Sequence, residues 1–208
     1  MSNINIAVLL SGRGSNFKAI NEAIKQKTIK DASIVTVISD KPHAEGLLYA
    51  KENNIETVTV DPADFPTREQ FDEVVLGITQ PLNIGLICLA GYMRIVSKVL
   101  IDVYEGKIMN IHPSLLPAFP GLHAQKQALN HGVRVSGCTV HFVDNGLDTG
   151  PIILQRAVPV FPDDSEHTLS ERILKEEHIL YPKAVALYTK GLLNIEGRSV
   201  KILHGYKE

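Results

Sequence analysis

The sequence has little of what would point to an unusual class of protein. It contains no tryptophan, three methionines and two cysteines in 208 residues. Cys88 and Cys138 lie in separate apolar runs without zinc-type spacing, so both read as reduced, buried thiols. Neither sign of charge is in excess. Lys+Arg total 21 against 23 Asp+Glu, a formal net charge of −2, and no basic surplus is present to hold a nucleic-acid backbone. No apolar run is long enough to span a membrane, and the opening MSNINIAVLLSG has no basic leader. No two histidines have metal-helix spacing, so no metal is expected. A Walker lysine and a Gly-x-Ser-x-Gly elbow are also missing. Repeats, low-complexity tracts and Pro/Ser-rich linkers are absent too. The expectation is a soluble, cytoplasmic, single domain over residues 1–208, with enough apolar content (44%) for a substantial core.

The apolar residues that are present alternate between two periods. Ile4–Leu10, Ser33–Ser39, Glu56–Val60, Asn83–Leu89 and Lys107–Ile111 read as strands. Between them, helical spacing predicts segments over about Asn16–Lys27, His43–Asn53 and Ser97–Val103. A further helix carries Phe71, Val74, Val75 and Ile78 behind a Thr67/Gln70 capping box. This alternation predicts an α/β, Rossmann-like, mostly parallel twisted sheet flanked by helices. Leu115–Gly132 is rich in Pro, Gly and His and reads as loop, with a short helix near Gln125–His131. Gly137–Val143 and Ile152–Val158 have a short connection, so they should pair antiparallel. A long helix capped near Ser165 should run towards Leu187, kinked or broken at Pro182. Leu192–Leu203 reads as a hairpin turning at Glu196–Gly197.

Three segments could carry chemistry. Gly12-Arg13-Gly14-Ser15-Asn16 joins the first strand to the first helix. Glycines let successive N–H groups converge, and the helix N-terminus adds positive potential, which suits one phosphate. The plainer alternative is that Ser15 or Asn16 simply caps the helix. A nicotinamide site also stays open through Asp40, although Phe17 stands where the dinucleotide fingerprint needs a small residue. In Met109-Asn110-Ile111-His112-Pro113-Ser114, Asn110 and His112 should point to one side of a strand end. An amide donor beside an imidazole there suits oxyanion stabilisation and proton transfer. In Gly146-Leu147-Asp148-Thr149-Gly150-Pro151, Asp148 either closes an Asx-turn or faces His112. Gly91–Ile95 follows the central strand and is either part of the ligand edge or ordinary loop packing. His141 reads as a packed histidine, and Glu176, Glu177 and His178 as a solvated helix face.

Taken together, SGRGSN (Ser11–Asn16), LAGYMRI (Leu89–Ile95), NIHPSLLP (Asn110–Pro117), PGLHA (Pro120–Ala124), HFVDNGLDTGPIILQ (His141–Gln155) and EEHILYP (Glu176–Pro182) occur in family order. On these motifs the chain resembles the phosphoribosylglycinamide formyltransferases, folate-dependent enzymes of purine synthesis. NIHPSLLP is shared with other folate formyltransferases, whereas GSN with EEHILYP points to the glycinamide branch. The resemblance implies that residues 1–105 form a phosphate-binding half and 106–208 a catalytic and folate-closing half. It implies glycinamide ribonucleotide and 10-formyltetrahydrofolate as substrates, without metal, nucleic acid or membrane, and leaves a homodimer open. Gly14, Ser15 and Asn16 would bind the substrate phosphate, and Glu177 the ribose hydroxyls. Arg68, Met93, Arg94, Ile95 and Val96, with Asn110 and Asp144, would hold the folate, and Asp144–Asp148 would close over its pterin. Asn110, His112 and Asp148 would be the catalytic set. Arg13 stands where members often carry Asn or Thr, Tyr92 where they carry Phe, and Val96 where they carry Leu. The rivals are a 10-formyltetrahydrofolate hydrolase, a non-catalytic phospho-ligand module and, more distantly, a dehydrogenase or a methionyl-tRNA formyltransferase.

Overall fold

Ile6, Val8 and Leu10 enter one hydrophobic core while Ala7 and Leu9 enter another. That alternation belongs to a strand covered by helices on both faces. The strand is β1 (Ile4–Leu10), in a computed structural model that describes residues 3–203. It is followed by α1 (Ser15–Lys25), β2 (Ala32–Ser39), α2 (Glu45–Glu52), β3 (Glu56–Thr59), α3 (Arg68–Thr79), β4 (Ile84–Leu89), α4 (Lys98–Val103) and β5 (Ile108–His112). The remainder is α5 (Ala124–Asn130), β6 (Val135–Phe142), β7 (Ile152–Pro159), α6 (Glu166–Thr189), β8 (Leu193–Glu196) and β9 (Ser199–Ile202). Residues 1, 2 and 204–208 of the expected 1–208 domain lie outside the described residues.

All nine described strands share one sheet, ordered β3-β2-β1-β4-β5-β6-β7-β9-β8. The first five are mutually parallel. β6 pairs antiparallel with both β5 and β7, and the β8/β9 hairpin joins β7 through one parallel pair. The expected fold class therefore holds. Phe17 and Ile20 of α1, Leu47 of α2, and Leu180, Tyr181 and Val185 of α6 cover one face. Phe71 and Val75 of α3, with Leu100 and Ile101 of α4, cover the other. Strand order reverses at β1, with β2 and β3 on one side and β4 and β5 on the other. At such a switch point the loops after the two central strands, here β1 and β4, part and leave a crevice for a ligand.

Several expectations change, among them β6, which starts two residues and ends one residue earlier than expected. β5 starts and ends one residue later than expected, so His112 is its last residue. A kink or break was expected at Pro182, and α6 runs through it to Thr189 without a break. An interior proline costs about 3 kcal/mol, but Leu180, Tyr181, Ala184 and Val185 are all buried around it. The Tyr181 hydroxyl also donates to Met109 O at 2.8 Å and lies 3.2 Å from Leu89 O. Burial and these strand-end contacts outweigh the lost helical bond. The start of α6 is as expected: Ser165 accepts the Thr168 N–H, and Thr168 Oγ1 accepts the Ser165 N–H.

Candidate active site

The phosphate-type turn is built from backbone. Gly14 precedes α1 with φ of 66°, a left-handed conformation that favours glycine. A Cβ there would lie 3.0 Å from Gly46 Cα and 3.1 Å from the Leu10 side chain. This geometry lets α1 begin directly at the turn, with its first N–H groups unpaired by other helical residues. Asn16 is buried, and its Nδ2 donates to Glu177 Oε2 at 2.7 Å. Burial pushes the Glu177 carboxyl above the usual range, while the Asn16 bond opposes that rise. The neighbouring His178 imidazole is pushed down by burial and then by the nearby Arg13 charge. The solvated-face reading of Glu177 is thus overturned. It lies one helical turn before Tyr181, on the face of α6 that packs against the core.

A second group of side chains gathers where β5, β6 and the loop before β7 meet. Asn110 lies opposite His141, and His112 opposite Thr139, in the β5/β6 register. Asn110 Nδ2 is 3.2 Å from His141 Nε2, and His141 Nδ1 is 2.8 Å from Phe142 O. Since a carbonyl only accepts, His141 carries its proton on Nδ1 and accepts the Asn110 amide at Nε2. Burial pushes the His141 imidazole below its ordinary value, which keeps it in this neutral role. His112 Nε2 contacts Phe119 O at 2.8 Å, and its Nδ1 is 3.4 Å from Asp148 Oδ2. Because a carbonyl only accepts, His112 donates from Nε2 to Phe119 O, and its Nδ1 faces the Asp148 carboxylate. Asp148 Oδ2 also accepts the Gly121 N–H at 2.7 Å. The loop is pinned at its exit by Gly150, where a Cβ would fall 1.9 Å from Phe142 O.

Asn110, His112, His141 and Asp148 line a cavity of about 690 Å³, whose opposite wall comes from the segment after β4. Tyr92, Met93, Arg94, Ile95 and Val96 all contribute, as do Asp144 and Asp148. Met93 and Ile95 leave apolar surface exposed, at 65% and 55%, which suits a flat hydrophobic ligand. Arg94 stacks over the Phe71 ring at 4.3 Å. Arg68 does not join this group. It opens α3, is exposed, and pairs with the adjacent Glu69 at 2.9 Å. Asp40 is buried, and its Oδ1 has no hydrogen-bond partner among the described residues. It does not line the cavity, so the dinucleotide alternative gains no support from it.

A family model for formyl transferase matches residues 4–185. The chain belongs to that family. It is 42% identical to the phosphoribosylglycinamide formyltransferase of Bacillus subtilis, covering 94% of this chain and 97% of that one. Glycinamide ribonucleotide transformylase 1 from Symbiobacterium toebii has the same fold, with a TM-score of 0.94 and 49% identity over 97% of this chain and 94% of that one. The trifunctional purine biosynthetic protein adenosine-3 of Drosophila melanogaster is 46% identical over 89% of this chain. This chain spans 14% of that protein's length.

In this formyl transferase, sequence reasoning missed the part played by His141. The signal was available: a short connection makes β6 and β7 a hairpin, and His141 is the first residue of the same motif that carries Asp148. What was lacking was the β5/β6 register, which sets His141 against Asn110. Among the described residues, no helix is long and apolar enough to cross a membrane.

Proposed function

We propose that the chain transfers the formyl group of 10-formyltetrahydrofolate to the amine of glycinamide ribonucleotide, a step of de novo purine biosynthesis. The observation that carries this reading is the His112–Asp148 pair beside Asn110 on the wall of the 690 Å³ cavity. Gly14, Ser15 and Asn16 bind the ribonucleotide phosphate through backbone N–H groups, and Glu177 accepts from the ribose hydroxyls. Met93, Arg94, Ile95 and Val96, with Asn110 and Asp144, hold the folate, and Arg68, which does not line the cavity, is not part of that set. The amine attacks the formyl carbon, forming a C–N bond and a tetrahedral oxyanion. The Asn110 amide has one N–H engaged by His141 and a second free to meet that oxyanion, together with protonated His112. As the bond to folate N10 breaks, His112 supplies a proton to N10. The proton lost by the attacking amine restores the imidazolium, with Asp148 assisting. No proton is gained or lost overall. Residues 1–105 and 106–208 act as two halves of one domain, and a cytoplasmic location, with no nucleic-acid or membrane partner, belongs to the same reading.

The test follows absorbance during incubation with 10-formyltetrahydrofolate, with and without glycinamide ribonucleotide. Turnover that requires the ribonucleotide supports the assignment. Equal turnover without it assigns a hydrolase instead, and no turnover in either mixture assigns a non-catalytic binding module.

A further inference from the structure

The turn after β1 and the cavity wall after β4 are joined by one side chain. The ladder between these strands continues past their ends, with Ala90 N–H donating to Leu9 O at 2.9 Å and Ser11 N–H donating to Gly91 O at 3.0 Å. The next donor on the β4 side is Met93 N–H, and no backbone carbonyl of the β1 side meets it, because the two chains part at the switch point. Ser11 Oγ takes that place, accepting the Met93 N–H at 2.9 Å. Two further anchors hold the wall, the Arg94–Phe71 stack and the Ser97 N–H bonded to Asp72 Oδ2 at 2.5 Å. Both of those come from α3. Ser11 instead ties the wall to the turn that ends in Gly14–Asn16, three residues further along the chain.

We propose that Ser11 is a positioning residue that sets the folate-binding wall and couples its occupancy to that of the phosphate turn. The inference rests on the ligand assignment made under the proposed function. Phosphate bound to the N–H groups of Gly14–Asn16 orders the turn, an ordered turn fixes Ser11 Oγ, and a fixed acceptor holds Met93 and its neighbours in the binding shape. Linkage makes the effect reciprocal, so folate must tighten ribonucleotide binding by the same factor. Ser11 touches neither reacting group. Its loss therefore falls on donor affinity rather than on the chemical step.

The experiment measures dissociation constants of a non-reactive folate analogue, alone and with saturating glycinamide ribonucleotide, for the wild type, Ser11→Ala and Ser11→Thr. The wild type should bind the analogue more tightly when ribonucleotide is present. Ser11→Ala should weaken the analogue alone by roughly 2- to 10-fold, the scale of one lost neutral hydrogen bond. It should also remove the enhancement while leaving ribonucleotide affinity alone and kcat within about twofold. Ser11→Thr keeps the hydroxyl and should restore both the affinity and the enhancement. Wild-type values in Ser11→Ala, a surviving enhancement, or a folded Ser11→Thr that restores neither would overturn the inference. A wild type that binds neither ligand removes the functional reading as well, whereas binding of both with an unaffected Ser11→Ala removes this inference alone. Should Ser11→Ala not fold, amide exchange at Met93 in the wild type decides: ribonucleotide must slow it, and unchanged exchange overturns the coupling.

Discussion

The Gly14–Asn16 turn and the Asn110–His112–Asp148 corner are assembled in opposite ways. The turn is contiguous in sequence, made of backbone N–H groups, and shaped by one glycine at a positive φ beside a helix start. The corner is made of side chains that lie up to 38 residues apart in sequence, from position 110 to position 148, and meet because β6 pairs antiparallel with β5 and the loop after β6 carries Asp148 back to His112. A backbone site depends on local conformation and tolerates side-chain change. A side-chain site depends on register and on the protonation of each member. The two regions should therefore fail differently, in binding for the turn and in rate for the corner.

The sharpest test of that contrast is Asp148→Asn, which leaves the fold and removes one charge beside His112. Loss of assisted proton transfer should lower kcat by about 10²–10⁴, while ribonucleotide affinity stays near wild type. A kcat loss matched by an equal loss of ribonucleotide affinity would show that the two regions are not separable.

Gly14→Val should do the reverse. Holding a β-branched residue at φ of 66°, with its Cβ 3.0 Å from Gly46 Cα, costs on the order of 1–3 kcal/mol. Ribonucleotide affinity should fall about tenfold or more, with a lower Tm and a nearly unchanged kcat at saturation. Calorimetric titration of the folded variant with ribonucleotide checks this, and an unchanged affinity would break the anion-turn assignment.

Glu177→Gln probes the group that joins the turn to α6. Ribonucleotide should bind roughly tenfold more weakly, since an ionised acceptor is lost. Stability should move the other way. Burial raises the native carboxyl value above that of the unfolded chain, so its contribution is present at low pH and lost as pH rises through the native value. Glutamine has no such loss, and the Tm difference, variant minus wild type, should grow between pH 4 and pH 8. A flat difference would sink the burial argument.

The smallest effect concerns His141. Its native value is depressed by burial, so its contribution is present above about pH 6.5, the unfolded value, and lost as pH falls. Thermal unfolding of the wild type should show this acid-side loss, with a slope of up to about 1.4 kcal/mol per pH unit for one proton. His141→Asn should flatten that part of the profile. Parallel profiles for the two proteins would mean that His141 does not titrate on unfolding.

Much of the molecule could be read without coordinates, for local reasons. The two periods of apolar residues locate the strands and helices to within a few residues, because burial on one or two faces imposes them. The Gly-rich turn before Phe17 is legible as a candidate anion site, because only backbone conformation is needed to make one. Asn110 and His112 share a side because strand geometry alone puts them there. Tertiary structure decided the rest. Helix pattern alone reads Glu177 as solvated and only the resemblance gives it a ligand; the packing of α6 across α1 is what turns it towards Asn16. His141 reads as a packed histidine and is buried, but only register sets its ring against Asn110. Pro182 reads as a kink or break, and the core around Tyr181 keeps the helix from breaking there. Ser11 reads as the first residue of a motif until the β4 loop brings Met93 N–H to its hydroxyl. In each case the deciding quantity is the free energy of burying or pairing a group with a partner distant in sequence, and no local pattern carries that information.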